Sequence, residues 1–145
     1  MIIPQRFYRK TAAAAAFALL AMLSGAGVDA QDQDKPKKPK LTLRSSPIMA
    51  FTPATITLTA ELKDGDDDYE EFYCASVEWD WADGTRSEST DDCAPYEPGK
   101  SEIRRRYTIQ HKYNIDGIYD VRFLLKQRDK VVASARTKVT IRPGR

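Results

Sequence analysis

The stretch Val77-Glu78-Trp79-Asp80-Trp81-Ala82-Asp83-Gly84-Thr85 decides the fold. Val77, Trp79 and Trp81 alternate with Glu78 and Asp80, so one face is apolar and the other acidic, as a half-buried strand requires. Asp83-Gly84 follows, two residues that accept positive φ, and reads as the two-residue turn of a hairpin. Arg86 to Ser89 is then the returning strand. Pairing about that turn sets Cys74 opposite Cys93 at the far end of the hairpin, within disulfide range. Parity places Cys74 with Ser76, Glu78 and Asp80, away from the tryptophan face. The bond is therefore expected to staple the hairpin on its outer side.

A second stretch answers the first: His111-Lys112-Tyr113-Asn114-Ile115-Asp116-Gly117-Ile118-Tyr119-Asp120-Val121-Arg122-Phe123. It reads as strand, a short turn at Asn114 to Gly117, then strand. Tyr119, Val121, Phe123 and Leu125 share one face, and the Tyr119 hydroxyl is placed to return to nearby backbone as a tyrosine corner. Together the two stretches resemble the signature of the polycystic kidney disease (PKD) domain, whose first motif runs roughly Trp-Asp-Phe-Gly-Asp-Gly-Thr. Trp81 stands for the Phe, Ala82 for the first Gly, and His111 falls where that family commonly has a His. The resemblance covers about residues 41–142. It implies an all-β, immunoglobulin-like sandwich of about seven antiparallel strands, without catalytic activity. It also implies a ligand-binding or spacer role in the cell envelope or extracellular space, by protein–protein or protein–carbohydrate contact.

The chain of 145 residues begins with a basic segment, Arg6, Arg9 and Lys10, followed by the uncharged, Ala- and Leu-rich run from Thr11 to Leu23. Val28-Asp29-Ala30 supplies small residues for cleavage. Residues 1–30 therefore read as a secretory signal peptide, too short in its apolar part to span a bilayer comfortably. Export to the periplasm or medium, with no stable membrane insertion after cleavage, is the expectation, and it suits a disulfide. Residues 31–40, with Pro36, Pro39 and four lysines, read as a flexible or extended leader. Residues 41–143 form the domain.

Strand signals recur about every ten residues with turn residues between them, and no segment of the domain has helical periodicity. Ile56, Leu58, Ala60 and Leu62 alternate with Thr55, Thr57, Thr59 and Glu61 in the clearest example. Further strands are expected at Leu41 to Arg44, Arg104 to Tyr113, Gly117 to Lys126 and Val131 to Ile141. Pro47 and Pro53 interrupt the first as edge strands tolerate. Removal of residues 1–30 leaves 20 basic and 20 acidic residues, a balance that argues against nucleic acid as a partner. The charges are unevenly distributed. Residues 61–97 hold 14 acidic and two basic residues, and residues 98–145 hold 13 basic and four acidic. Solvated outer faces explain this; the sharper alternative is an acidic pole that orients the molecule on a partner or on copies of itself.

Three groups of residues stand out as site candidates. Asp64, Asp66 and Asp68 are carboxylates at alternate positions that suit hard-oxygen coordination of calcium, although Tyr69 and Ala75 break the EF-hand pattern. The loop aromatics Tyr69, Phe72, Tyr73 and Tyr96 are candidates for stacking on sugar rings or on a protein. Arg104-Arg105-Arg106 is a compact basic run whose alternation divides it between two faces, and its expected role is protection of a strand edge. His111 is the only histidine, without a nucleophile or second ligand beside it. No phosphate loop, nucleophile elbow or dinucleotide fingerprint occurs. The reading is thus a binding module for an envelope or extracellular protein, with a polysaccharide bound by loop aromatics as the alternative. No cofactor is expected beyond the candidate calcium.

Overall fold

A computed structural model describes residues 35–145. The signal-peptide reading of residues 1–30 and the first part of the leader lie outside the described residues. Eight strands follow in order: β1 (Lys40–Ser46), β2 (Met49–Phe51), β3 (Ala54–Lys63), β4 (Ser76–Asp80), β5 (Arg86–Ser89), β6 (Arg106–Tyr113), β7 (Gly117–Gln127) and β8 (Lys130–Arg142). One sheet has the order β1-β3-β6, the other β2-β8-β7-β4-β5. Pairing is antiparallel except between β2 and β8, which run parallel. The result is the expected immunoglobulin-like sandwich with one more strand than anticipated. Pro47 lies between β1 and β2, and the chain changes sheets there.

The alternations place the core. Ile56, Leu58, Ala60 and Leu62 of β3 face Val121, Phe123 and Leu125 of β7 and Val139 and Ile141 of β8, and all are buried. Val77, Trp79 and Trp81 are buried as their parity requires. Phe72, read as a loop aromatic and lying on a single 3-10 turn at Glu70–Phe72, and Ile103, just before β6, add buried side chains. Glu78 is the one buried charged residue among those described. It points to the outer face of β4, as its parity requires, where Lys126 donates to it and Arg86 lies 3.4 Å away. The Lys126 ammonium holds the Glu78 carboxyl below the ordinary glutamate range against the opposing effect of burial, with Glu88 also contributing.

The β4–β5 hairpin differs from expectation by one residue. Trp79 pairs with Ser87 and Asp80 with Arg86, so the five residues from Trp81 to Thr85 make the connection. Ala82 (φ 60°) and Gly84 (φ 89°) take the positive backbone angles, rather than Asp83 and Gly84. The acidic residues hold this turn. Oδ1 of Asp80 accepts the Ala82 amide at 3.1 Å, and Oδ1 of Asp83 accepts both the amide (2.9 Å) and the hydroxyl (2.6 Å) of Thr85.

The turn leaves Oδ2 of Asp83 free to reach the other sheet. His111 of β6 donates to it from Nε2 at 2.7 Å. The His111 ring lies flat on Trp81 at 4.2 Å, and Trp81 stacks in turn on Trp79, both pairs within 3° of parallel. Tyr113, two residues on and also facing inward, donates its hydroxyl to the Trp81 carbonyl at 3.0 Å. The Tyr119 hydroxyl donates to the Ile115 carbonyl at 2.7 Å, which is the expected tyrosine corner. The two sequence signatures thus meet face to face and bind one sheet to the other.

Burial alone would raise the Asp83 pKa, but the Thr85 hydroxyl, His111 and the Thr85 amide outweigh it and hold the carboxyl below the ordinary aspartate value. A depressed folded pKa contributes stability that is present above the unfolded value and is lost as pH falls through the folded one. The urea midpoint should therefore decline in acid as pH falls below about 4, the ordinary aspartate value, and Asp83→Asn should flatten that decline. An acid limb of unchanged steepness in the variant would exclude Asp83 as a contributor.

Candidate functional site

The candidate residues read from sequence are dispersed by the structure. The Asp66 carboxylate accepts the Lys37 amide, Asp67 pairs with Arg105 at 2.6 Å, and Asp68 accepts the Gly99 amide at 3.0 Å. Asp64 contributes its carbonyl, which accepts from Arg105 at 2.7 Å. The expected calcium set, Asp64, Asp66 and Asp68, is thus spread over separate partners. Among the described residues, no three His, Cys, Asp or Glu side chains are grouped to hold a metal ion. Arg105 is the organiser of this loop, donating also to the carbonyls of Leu62 and Gly65. Gly65 (φ 64°) is required by contact: a Cβ there would lie 2.5 Å from the Pro39 nitrogen and 2.6 Å from the Lys37 carbonyl. Residues 37–39, read as part of a free leader, are therefore held against the domain.

The basic run disperses in the same way. Arg104 reaches Asp91 at 3.4 Å and covers the Tyr107 ring, Arg105 fills the acidic loop, and Arg106 pairs with Glu61. Each arginine answers a carboxylate from the acidic half of the chain. The uneven charge along the sequence is in good part neutralised within the molecule.

The loop aromatics form no stacking platform. Phe72 is buried, with Tyr69 at its edge (5.0 Å, 64°). Tyr73 and Tyr96 are tilted by 58° to one another, and their hydroxyls donate to the carbonyls of Ala94 and Asp68. These two rings, the Cys74–Cys93 disulfide, Glu70, Glu71, Gln127 and Arg128 border an open depression of about 550 Å³. The disulfide is formed as expected, with Cα atoms 6.1 Å apart, but by another route. Regular pairing ends at Val77 and Ser89, and Cys74 (φ 50°) leaves the strand line to meet a sulfur on the loop that follows.

The surface feature that sequence reading missed is an apolar corner. Ile48, Met49, Phe51, Ile115 and Ile118 are 47–72 % exposed. Their assembly follows from the crossing at Pro47. The Ile48 carbonyl accepts the Thr140 amide at 3.0 Å and the Arg142 carbonyl accepts the Thr52 amide at 2.9 Å, which docks β2 on β8. Met49 then pairs with Thr140, which pairs with Ile118 on β7, while Phe51 pairs with Arg142. Met49, Phe51, Thr140, Arg142 and Ile118 have the parity opposite to the buried Val139 and Ile141, so they share the outer face of the five-stranded sheet. Neighbouring strands lie about 4.8 Å apart, so Met49 and Ile118 flank Thr140 within roughly 10 Å. Met49 and Phe51 alternating between two prolines, and Ile118 out of phase with the core face of its strand, were the signals available.

No protein-family model and no curated protein sequence matches the chain. Among solved structures it is similar to the PKD domain of an M14-like peptidase from Thermoplasmatales archaeon SCGC AB-540-F20. The TM-score is 0.50 at 14% identity, over 74% of this chain and 99% of that domain. It also aligns with the CARDB domain of the PF1109 protein from Pyrococcus furiosus, at TM-score 0.48 and 10% identity, over 76% of this chain and 99% of that one. The chain is a PKD-like domain in fold, an immunoglobulin-like sandwich. No helix among the described residues is long and apolar enough to cross a membrane.

Reduction of Cys74–Cys93 releases a cross-link between residues 19 apart in sequence. Loop-closure entropy alone assigns such a link about 3 kcal/mol. Paired urea melts of the oxidised protein and a Cys93→Ser variant should differ by about that amount in unfolding free energy. Coincident melts would show that the loop is held by Tyr73 and Tyr96 without it.

Proposed function

We propose that this chain is an exported, non-catalytic PKD-like module that binds protein through its apolar corner. The observation that carries the reading is the exposure of Met49, Phe51 and Ile118 together on the outer face of β2, β8 and β7, with Ile48 and Ile115 exposed beside them in the chain. Single exposed apolar residues are ordinary, but a contiguous group of large ones marks a surface that another molecule covers. The flanking surface is charged, with Asp120 and Arg136 paired at 3.7 Å on the same face, which suits the polar rim of a protein interface. Export agrees with the disulfide, which forms and persists in oxidising compartments. The carbohydrate alternative loses its main support because the loop rings are tilted and their hydroxyls engaged. A non-catalytic role agrees with a single histidine that is used between the sheets.

The test is photo-cross-linking in cells that export the full chain. A photoreactive residue at Ile118 should give a discrete protein adduct, and the same residue at Thr108, exposed on β6 in the other sheet, should give none. Equal labelling at both sites would contradict the reading. So would retention of the purified protein on insoluble polysaccharide that Tyr96→Ala abolishes.

A further inference from the structure

We propose that the cleft between Arg122 and Arg136, on the outer face of β7 and β8, receives a glutamate side chain of an acidic protein partner. The inference rests on the protein-binding reading above and names the partner's chemistry. The register carries the first part of the argument. Arg122 of β7 stands directly opposite Arg136 of β8, and both turn outward because Val121, Phe123 and Val139 turn in. Residues so paired have Cβ atoms about 5 Å apart, and like charges in that position repel. A cleft of about 340 Å³ opens at the pair, with Leu124, Val131 and Ser134 also on its walls.

The chain does not neutralise this pair. Arg136 reaches Asp120 at 3.7 Å, whereas Arg122 takes part in no ion pair among the described residues. Its register neighbour on β4, Asp80, is engaged with Arg86 at 3.6 Å and with the Ala82 amide at 3.1 Å. The imbalance extends along both strands. Their outward cations are Arg122, Lys126, Arg136, Lys138 and Arg142, and their one outward carboxylate is Asp120. Lys126 is taken up by Glu78 and Glu88 of β4 and β5, while Lys138 and Arg142, like Arg122, are in no ion pair among the described residues. The β4–β5 half of the face therefore satisfies its own charges, and the β7–β8 half keeps a positive excess. Complementarity selects an acidic partner, and a second copy brings the same positive face and is repelled. The cleft wall narrows the choice further. Two guanidinium forks hold a carboxylate by charge-assisted hydrogen bonds, with the Ser134 hydroxyl as a further donor. Leu124 and Val131 offer the methylenes of a glutamate an apolar wall, which a phosphate, a sulfate or a lipid headgroup would leave wet.

Fluorescence anisotropy of a labelled oligoglutamate peptide, titrated with the full chain purified as exported, reads the site. Wild type should bind the peptide. Arg122→Ala should weaken binding by about tenfold, with circular dichroism melts unchanged because Arg122 is exposed. Arg44→Ala removes the same charge from the outer face of the other sheet and should leave binding as in wild type. A wild type that does not bind would overturn the inference. So would equal losses from Arg122→Ala and Arg44→Ala, since the attraction would then be one of net charge. Vesicles of phosphatidylglycerol that bind with the same dependence on Arg122 would overturn it in favour of a lipid surface. In cells, the adduct from the photoreactive residue at Ile118 should be lost when Arg122→Glu is added. An adduct that persists there would overturn the inference and leave the protein-binding reading standing. Peptide bound through Arg122, with no adduct at Ile118 in wild type, would support the cleft and count against the apolar corner alone.

Discussion

The contact between Trp81 and His111 is the constraint on which the rest of the structure depends. A sandwich has two sheets whose inner faces are merely greasy, and grease alone does not set how one sheet lies over the other. Here a stacked indole and imidazole, a carboxylate at 2.7 Å and a tyrosine hydroxyl at 3.0 Å join the β4–β5 turn to β6. Each of these is directional, so together they specify one arrangement. Asp83 serves both ends of the contact. One oxygen shapes its own turn through Thr85 and the other reaches the opposite sheet. Replacing it would disturb a local turn and a long-range contact at once.

How much of this was legible in the sequence depends on the range of the interaction. Strand positions and inward faces follow from period-two alternation, and β3, β4 and β7 are laid out as their patterns say. The tyrosine corner was legible because its acceptor, the Ile115 carbonyl, lies only four positions before Tyr119. The hairpin register was not, because it turns on whether Ala82 takes a positive φ (60°), a conformation unfavourable for a residue with a Cβ. A two-residue turn was the simpler reading, and it paired the right cysteines for the wrong geometric reason.

Candidate site residues were the least legible part, and the cause is again physical. Asp66, Asp67, Arg105 and the loop tyrosines have the chemistry of binding groups. Their partners are other residues of the chain, 21 to 43 positions away in sequence. A lone sequence cannot show which polar groups have been satisfied internally. Buried and half-buried polar groups must find partners, and in a small domain the surface loops supply them to one another. The same logic runs in reverse at the apolar corner. Met49, Phe51 and Ile118 have the composition of core, and only the crossing of β2 to the second sheet shows that they face water.

The central claim is that the two signature stretches act as one clasp between the sheets. A double-mutant cycle on Asp83 and His111 tests it most directly, using Asp83→Ala, His111→Ala and the double variant in urea unfolding at neutral pH. The account predicts that the single changes do not add, with a favourable coupling of about 0.5–3 kcal/mol between the two side chains. Additivity within about 0.3–0.5 kcal/mol would show that each residue serves only its own sheet, and the clasp would have to be sought elsewhere.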